Sequence, residues 1–234
     1  MSVMSLKQAV HILDNPVWHA LNTHHAQFAL GAGLARRYSA DIAPFIALAD
    51  ATPAAFDDLA QIMSADEKLV LRGFELPPDL PGWGIHDQKM IVQMICDEPM
   101  AEITSAEPII TLTDADVPDM LRLVGLAKPG PFLPRTIRLG QYVGIRQAGQ
   151  LVAMAGERMY PPGYREISAV CTHPDHRGKG YARLLMSRLM AENWARGDVP
   201  ILHVMPENVV AQRVYLSLGF RKRRDLAYVL LSRN

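Results

Sequence analysis

The sequence predicts an α/β protein whose mixed, mostly antiparallel sheet is flanked by helices, with an α+β half in front of it. Two observations carry this prediction. From residue 109 onward, short apolar runs and amphipathic stretches follow one another in the order β-α-β-β-β-α-β-α-β. Neighbouring strands are joined by hairpins, the clearest around Ala148-Gly149, and hairpins exclude an all-parallel sheet.

Each element of that order has its own local signals. Thr113-Asp-Ala-Asp is typical of a helix start, and the prolines around Gly130 predict a rigid loop at residues 128–132. Strands are expected at 109–112, 141–146, 150–159, 166–172 and 201–205, with a last strand pair at 220–223 and 227–231, and helices at 113–124, 180–195 and 209–218.

The first half of the chain begins with helical periodicity. Apolar residues at helical spacing predict a helix over residues 17–38. A second helix is predicted over residues 53–63, where Thr52 can cap the first turn. Residues 68–74 are typical of a strand, and the short apolar run 89–95 fits either a strand or a helix.

Charge divides the chain into two halves. The whole sequence is neutral, with 24 basic and 24 acidic residues, which argues against a protein that coats nucleic acid or an anionic membrane. Residues 1–105 hold 6 basic and 13 acidic residues, whereas residues 106–234 hold 18 and 11. We therefore expect two domains with these bounds. Their opposite charges favour docking of the halves, or binding of an anionic ligand by the basic half.

Cysteine content and hydropathy indicate a protein of the reducing cytoplasm. Cys96 and Cys171 are far apart and form no Cys-x-x-Cys pair, so neither a disulfide framework nor a structural zinc site is expected. Residues 1–10 lack the basic and apolar segments of a secretory signal. No apolar run reaches about 18 residues, so no membrane span is expected.

The most informative segment joins a strand to a helix. A strand ends at Thr172, and glycines 178 and 180 lead into the helix that follows. Such a turn exposes backbone N–H groups at the positive end of a helix, where a phosphate or pyrophosphate binds. A P-loop is excluded because Tyr181 follows the second glycine, and a dinucleotide fingerprint is excluded because Arg183 replaces its third glycine. A plain β–α turn is the alternative.

Two motifs of the sequence resemble the GCN5-related N-acetyltransferase (GNAT) superfamily. The first, Arg177-Gly-Lys-Gly-Tyr-Ala182, is similar to the Arg/Gln-x-x-Gly-x-Gly/Ala signature of that superfamily. The second consists of Asn208, Ala211, Tyr215 and Gly219-Phe220 at the matching distance downstream. The resemblance covers roughly residues 108–234 and implies the acyl-CoA N-acyltransferase fold. The longer chain and its Pro-Gly-Pro-Phe loop resemble the glycine N-acyltransferase-like branch.

The resemblance implies that acetyl-CoA, or another acyl-CoA, is the co-substrate. Backbone groups of Val170, Cys171 and Thr172 would bind the pantetheine arm, and a backbone N–H near residues 171–172 would stabilise the oxyanion. Asn208 would reach the pantetheine or acyl region, and it can also cap the helix that starts at Val209. The pyrophosphate would lie on the turn formed by Arg177, Gly178, Lys179, Gly180, Tyr181 and Ala182.

The resemblance also implies catalytic residues. Tyr215 would protonate the leaving thiolate, although a tyrosine beside Leu216 and Leu218 can equally be a packing residue. Glu166 is favoured as the base that deprotonates the amine, His203 is the second candidate, and a water chain shared by both is a third possibility. Each also has a structural alternative, as a carboxylate paired with Arg158 or Arg165 or as a hydrogen-bonded histidine.

Three other arrangements receive less support from the sequence. Acyl transfer through Cys171 is disfavoured because the residue lies in a predicted buried strand. A metal site of His173, His176, His203 and Asp175 is not expected, because its His-x-x-His spacing lies on a loop. The basic run at residues 221–224 is expected to be a solvated strand edge instead of a nucleic-acid site.

The expected activity is direct acetyl (or short acyl) transfer, in a ternary complex, to the primary amine of a small molecule such as an amino acid. The N-terminal half and Phe132 with its loop are expected to shape the acceptor pocket. Alternatives are a CoA-binding sensor or interaction module without activity, and an acetyltransferase of peptide or protein N-termini. No metal, nucleic-acid or membrane partner is expected, and the protein is expected to be a monomer or homodimer.

Overall fold

A computed structural model describes residues 11–65 and 67–234 of the chain. The expectation that the chain lacks a secretory signal concerns residues 1–10, which lie outside the described residues. Within the described ranges, no helix has both the length and the apolar character needed to cross a membrane.

The described residues form a mixed sheet with flanking helices, which confirms the predicted fold class. The helices are α1 (Pro16–Leu21), α2 (Pro53–Ala60), α3 (Val117–Ala127), α4 (Tyr181–Ala195) and α5 (Val209–Ser217). The strands are β1 (Ala29–Leu30), β2 (Ala35–Tyr38), β3 (Phe45–Leu48), β4 (Leu69–Arg72), β5 (Trp83–Ile95), β6 (Ile110–Thr111), β7 (Tyr142–Gln147), β8 (Gln150–Glu157), β9 (Tyr164–Thr172), β10 (Val199–Val204) and β11 (Arg221–Arg233).

The strands form one sheet in the order β1-β2-β3-β4-β11-β5-β10-β9-β8-β7-β6. Adjacent strands are antiparallel except for the pairs β3–β4 and β9–β10. The C-terminal strand β11 pairs with β4 on one side and with β5 on the other, and β5 pairs in turn with β10. Strands from both sides of residue 105 therefore alternate at the centre of the sheet.

Local signals account for most elements. The Thr52 hydroxyl accepts a hydrogen bond from the Ala55 N–H (3.4 Å) and caps α2. The Thr113 and Asp116 side chains form a capping box at a 3-10 turn that leads into α3. Gly149 has a φ of 82° in the hairpin turn between β7 and β8, a conformation that glycine adopts without strain.

The predicted helix over residues 17–38 is wrong. The helix ends at Leu21 as α1, a 3-10 turn follows, and the remaining residues form β1 and β2. Gly31 and Gly33 have φ values of 99° and 57°, which no α-helix accommodates. The Leu34 N–H then donates to the Asp58 carboxylate (2.7 Å), which fixes the chain as it enters β2.

The last strand is also longer than predicted. Instead of two pieces, β11 is continuous over 13 residues and pairs with β5 along its length. A register shift between Lys222 and Arg224 accommodates the polar stretch that the sequence suggested was a break.

Helices α3 and α4 cover opposite faces of the sheet. Val143 and Ile145 of β7 pack in the cluster that contains α4, whereas Tyr142 packs in the cluster that contains α3. Because successive residues of a strand point to opposite faces, the two helices lie on either side. The ends of the strands between them position the site.

Candidate active site

A cleft opens where two neighbouring parallel strands separate. β9 and β10 pair only at residues 164–166 and 199–201, and Glu166 with Ile201 is the last pair. Beyond it, β9 continues to pair with β8, whereas β10 continues to pair with β5. The facing edges of the two strands therefore lack a partner strand, and their N–H and C=O groups are free to bind a ligand.

β9 carries a β-bulge at this cleft. Met154 is opposite Cys171 and Gly156 is opposite Ser168, so one residue of β8 faces two residues of β9. Ala169, within the bulge, has a φ of 51°, in the left-handed region that non-glycine residues rarely adopt. Strain of this kind costs on the order of 1–3 kcal/mol and clusters at functional sites. The bulge lies directly before residues 171–172, where the resemblance implies an N–H group that stabilises the oxyanion.

Side chains from both halves of the chain enclose a cavity of about 230 Å³ in the cleft. Residues 167–170 of β9 form one wall, and residues 203–205 form the other. Loop 128–131, which lies next to the predicted pocket residue Phe132, also lines the cavity. The remaining lining side chains are Arg72, Ile91, Arg158, Asn208, Tyr215 and Tyr228.

The turn between β9 and α4 has the geometry of an anion site. Gly178 and Gly180 have φ values of 78° and 80°, and Arg177 and Lys179 are exposed beside them. The Leu184 N–H bonds to the Gly180 carbonyl (3.1 Å) in the first turn of α4, so the N–H groups before it point out of the helix end. Positive charge, free amides and the helix dipole thus coincide there.

A second cavity, of about 250 Å³, lies directly beside this turn. Its lining combines Lys179 and Arg183 with residues 103–105 and Glu107. The Ile103 N–H donates to Ser187 Oγ (2.7 Å), which attaches this segment to α4. Sequence reasoning missed the segment because it contains no motif, and it noted Arg183 only as a departure from another motif.

The other residues predicted to bind the co-substrate take different positions. Val170 lines the cleft and Thr172 is half-buried at the end of β9, so their backbone groups are accessible. The side chains of Cys171 and Tyr181 are buried, so these two residues have only backbone groups to offer. Ala182 is half-buried in the first turn of α4.

Asn208 and Tyr215 both line the cleft from α5. The Asn208 Oδ1 accepts a hydrogen bond from the Ala211 N–H (3.1 Å), so Asn208 is the cap of α5 that the sequence allowed. Tyr215 packs edge-to-face with Phe220, with ring centroids 6.2 Å apart. Burial raises the pKa of Tyr215 to about 12, so the hydroxyl is protonated at neutral pH and can donate to a leaving group.

Glu166 is fully buried, at the last paired position before the strands separate. Its carboxylate accepts hydrogen bonds from Arg158 Nε (2.9 Å) and Nη2 (2.7 Å), and Arg72 Nη1 lies 3.5 Å away. Burial alone would raise the pKa, but the charge and hydrogen bonds of Arg158 and the bond from His203 keep the pKa of Glu166 well below its ordinary value. A carboxylate with so low a pKa is a weak base, so these surroundings do not support the expected proton-accepting role.

His203 is locked as one neutral tautomer. Arg223 Nη1 donates to the Gln93 Oε1 (2.8 Å), so the Gln93 Nε2 faces the His203 Nε2 at 3.0 Å. An amide nitrogen only donates, so the His203 Nε2 accepts and its proton lies on Nδ1, 2.8 Å from Glu166. Burial lowers the pKa of His203 to about 4. The lone pair of His203 is therefore occupied by the Gln93 amide, and the expected role as second base is not supported.

The structure also shows the surroundings of the residues in the three less favoured arrangements. Cys171 packs with Met120 and Phe132, and burial raises the pKa of its thiol to about 12, so the thiolate required for a thioester route is scarce. Among the described residues, no group of three or more potential ligands is arranged to bind a metal. All four side chains of the basic run, Arg221 to Arg224, pair with carboxylates of Asp97, Asp225 or Asp14.

Strands β4, β5 and β11 contribute lining residues of the cleft that were not predicted from the sequence, namely Arg72, Ile91 and Tyr228. One signal was present for the first of them. Arg72 ends the otherwise apolar strand Leu69-Val-Leu-Arg, and it is only 3% exposed. A charged residue in an apolar strand that is buried on both faces requires a buried partner or a ligand.

Comparisons with known proteins agree with this geometry. The model of the FR47-like protein family matches residues 142–229. An N-alpha-acetyltransferase RimI from Mycobacterium tuberculosis is 36% identical over 84 residues, which are 35% of this chain and 52% of that protein. An uncharacterized protein from Mycobacterium leprae is 29% identical over 61% of this chain and 43% of its own length. The chain thus spans about half the length of these two relatives.

Two solved structures extend the similarity to nearly the whole chain. A GNAT-family structure from Novosphingobium aromaticivorans has a TM-score of 0.88 and 37% identity, covering 96% of this chain and 100% of its own. A GCN5-related N-acetyltransferase from Kribbella flavida shares the fold, with a TM-score of 0.59 and 18% identity over 91% and 94% of the chains. The chain belongs to the GNAT family of acetyltransferases, as its two motifs indicated, and its assignment to the glycine N-acyltransferase-like branch stays a prediction.

The turn geometry predicts how Gly180→Ala affects CoA binding. A Cβ at Gly180 meets no atom within 4 Å, so the substitution acts through the φ of 80°. Shifting the turn removes one or two charge-assisted hydrogen bonds to a phosphate, and we expect the dissociation constant for CoA to rise at least about tenfold by calorimetry.

Gly149→Ala is the matched control for this experiment. Gly149 has the same type of conformation (φ 82°) and equally open space, but it lies in the β7–β8 hairpin. Both variants should lose about 1–2 kcal/mol of stability, because each places a side chain in the left-handed region. Equal CoA affinity in the two variants would contradict an anion site at the turn.

The lowered pKa of the buried, neutral His203 predicts how the stability of the protein depends on pH. Its folded pKa of about 4 lies below the ordinary value of 6.5, so the unfolded chain binds more protons between these pH values. The stability contributed by neutral His203 is therefore present above pH 6.5 and is lost as the pH falls toward 4. His203→Gln retains both hydrogen bonds without titrating, and its free energy of unfolding should fall less steeply, by up to about 1.4 kcal/mol per pH unit.

Urea unfolding of the wild type and the variant between about pH 7 and pH 5 measures this difference. The control is His86→Gln, which alters an exposed histidine that contacts Ser232. The control should keep the wild-type pH slope. If His203→Gln also keeps it, the buried neutral state of His203 is wrong.

Proposed function

We propose that this protein transfers an acetyl group from acetyl-CoA directly to the primary amine of a small molecule, within a ternary complex. The observation that carries the proposal is the cavity of about 230 Å³ where β9 and β10 separate. β4, β5 and β11 contribute Arg72, Ile91 and Tyr228 to it, so this cavity favours a small acceptor over a long peptide.

The co-substrate would bind along β9 and α4. The amides around Gly178 and Gly180 would bind the pyrophosphate, and the cavity lined by Lys179 and Arg183 would accommodate the adenosine end. The unpaired edge of β9 up to Val170 would bind the amide groups of the pantetheine arm, as an added strand would. In this arrangement the thioester would lie beside the bulge.

The reaction then proceeds through attack of the amine nitrogen on the thioester carbonyl carbon. The new C–N bond forms while a backbone N–H of the bulge stabilises the oxyanion, and the C–S bond breaks as that intermediate collapses. Tyr215 donates its hydroxyl proton to the leaving sulfur and regains a proton from solvent. The amine proton leaves to water, because neither Glu166 nor His203 has an available lone pair with a suitable pKa.

An N-terminal peptide acetyltransferase is the second candidate, because RimI is similar over 84 residues. A thioester assay that detects released CoA separates the candidates. Wild-type protein is incubated with acetyl-CoA and with amino acids, polyamines, aminoglycosides or short peptides, and products are identified by mass. Turnover of a small amine supports the proposal, turnover of peptides alone supports the second candidate, and CoA binding without any turnover supports the sensor alternative.

Tyr215→Phe tests the proposed acid with the amine that this assay identifies. We expect kcat to fall on the order of 10²-fold, because the leaving thiolate loses its proton donor, with the affinity for CoA unchanged. The control is Tyr142→Phe, because the buried Tyr142 hydroxyl has no hydrogen-bond partner among the described residues and does not line the cleft. Unchanged turnover of Tyr215→Phe across the pH range would remove this residue from the mechanism.

The pH–rate profile tests the absence of a protein base. Without one, kcat/KM should rise about tenfold per pH unit below the pKa of the free amine, and the limb should move when an amine of different pKa is used. His203→Gln should leave the position of this limb unchanged. A limb that stays fixed between amines, or that moves in the variant, would restore a protein base.

A further inference from the structure

Arg72, Arg158, Glu166 and His203 form a cluster at one end of the cleft, which we call its floor. This floor carries more positive than negative charge. Arg72 and Arg158 both line it and both point toward the single carboxylate of Glu166. His203, the fourth member of this cluster, is neutral in the tautomer set by Gln93. One guanidinium charge is therefore left without a matching carboxylate in a buried environment, which is costly unless a ligand compensates it.

Of the two arginines, Arg72 uses less of its hydrogen-bonding capacity. Arg158 makes two short hydrogen bonds to Glu166, at 2.7 and 2.9 Å, whereas Arg72 makes one at 3.5 Å. Among the residues that the structure describes, Arg72 Nη1 is the one nitrogen of that group with a protein acceptor, and the buried Nε has none. Phe45 stacks against the Arg72 guanidinium at 4.4 Å and keeps it in position.

The position of Arg72 relative to the bulge fits an acceptor that has an amine at one end and an anionic group at the other. Glu166, which it contacts, precedes Ala169 by three residues of β9, a separation of about 10 Å along a strand. The proposed anion turn lies beyond the opposite end of β9, so the phosphates of CoA are directed away from this floor. Tyr228, opposite Arg72 in the β4–β11 register, also lines the space between.

We propose that Arg72 is the specificity-determining residue of the acceptor site and binds a carboxylate of the acceptor, which is then an amino acid or a related amino carboxylic acid. The inference rests on the proposed function. A carboxylate accepts two parallel hydrogen bonds from a guanidinium, and a partly paired, pre-positioned arginine provides them with little loss of entropy. The acceptor amine then faces the bulge while its carboxylate stays on the floor.

Matched substrates test this in the wild-type protein. The twenty proteinogenic amino acids are compared with their carboxamides, which keep the amine and side chain but lack the charge. We expect kcat/KM to be about tenfold to a hundredfold higher for an accepted amino acid than for its amide, mainly through KM. The amine of the amide is less basic and intrinsically more available, so chemistry alone would favour the opposite order.

Variants of Arg72 show whether this residue causes the preference for an acceptor with a carboxylate. Arg72→Gln should reduce the acid-to-amide ratio toward one, with CoA affinity unchanged, and Arg72→Lys should retain part of the ratio. Arg122→Gln, which removes an exposed arginine of α3 paired with Asp119, should keep the full ratio. If Arg72→Gln does not fold, the wild-type ratio and Arg72→Lys decide the question.

The outcomes separate this inference from the proposed function. Turnover of amines without a preference for the carboxylate overturns the role of Arg72 and leaves the acetyltransferase proposal intact. If no amine is turned over, the proposed function fails, and calorimetry with amino acids and their amides in the presence of CoA decides on Arg72. Amino-acid binding that Arg72→Gln or Arg72→Lys weakens then supports the site, and no such binding overturns it.

Discussion

Three strands that form the cleft, β4, β9 and β10, meet at the buried carboxylate of Glu166. This residue ends the pairing of β9 with β10, and its oxygens contact Arg158, Arg72 from β4 and His203 from β10. A fully buried carboxylate is tolerated only when such partners surround it. One side chain therefore fixes the point where the strands separate and attaches the first half of the chain to that point.

Much of the fold could be predicted because its signals are local. The capping residues, the hairpin glycine and the alternation of strands and helices after residue 109 each act within a few positions of the chain. Residues 17–38 show the limit of that reasoning. Their apolar spacing fits a helix, but β2 is defined by its pairing with β3, and Gly31 and Gly33 ahead of it have positive φ values. A single sequence shows a glycine without showing its conformation.

The residues of the site also fall into those that local motifs identify and those whose partners are distant in the sequence. The residues of the anion turn and of α5 are close in sequence, so their motifs identify them together. Arg158, which the sequence allowed as a partner, helps to keep the pKa of Glu166 low, but so does His203, 37 residues away. The tautomer of His203 is set in turn by Gln93, 110 residues away. The pKa of a buried group follows from such partners, and no local pattern identifies them. The sequence therefore places the carboxylate on the correct strand, but its protonation behaviour emerges only with the fold.

This division also determines which parts of the cleft can be inferred from similarity to other proteins. The family model begins at residue 142 and ends at residue 229, so it includes the proposed donor side of the cleft and leaves out β4 and β5. The structure that is similar over 96% of the chain includes both sides. The proposed acceptor site is thus a product of the interleaved sheet, because β11 returns between β4 and β5 and brings the two halves of the chain to one cavity.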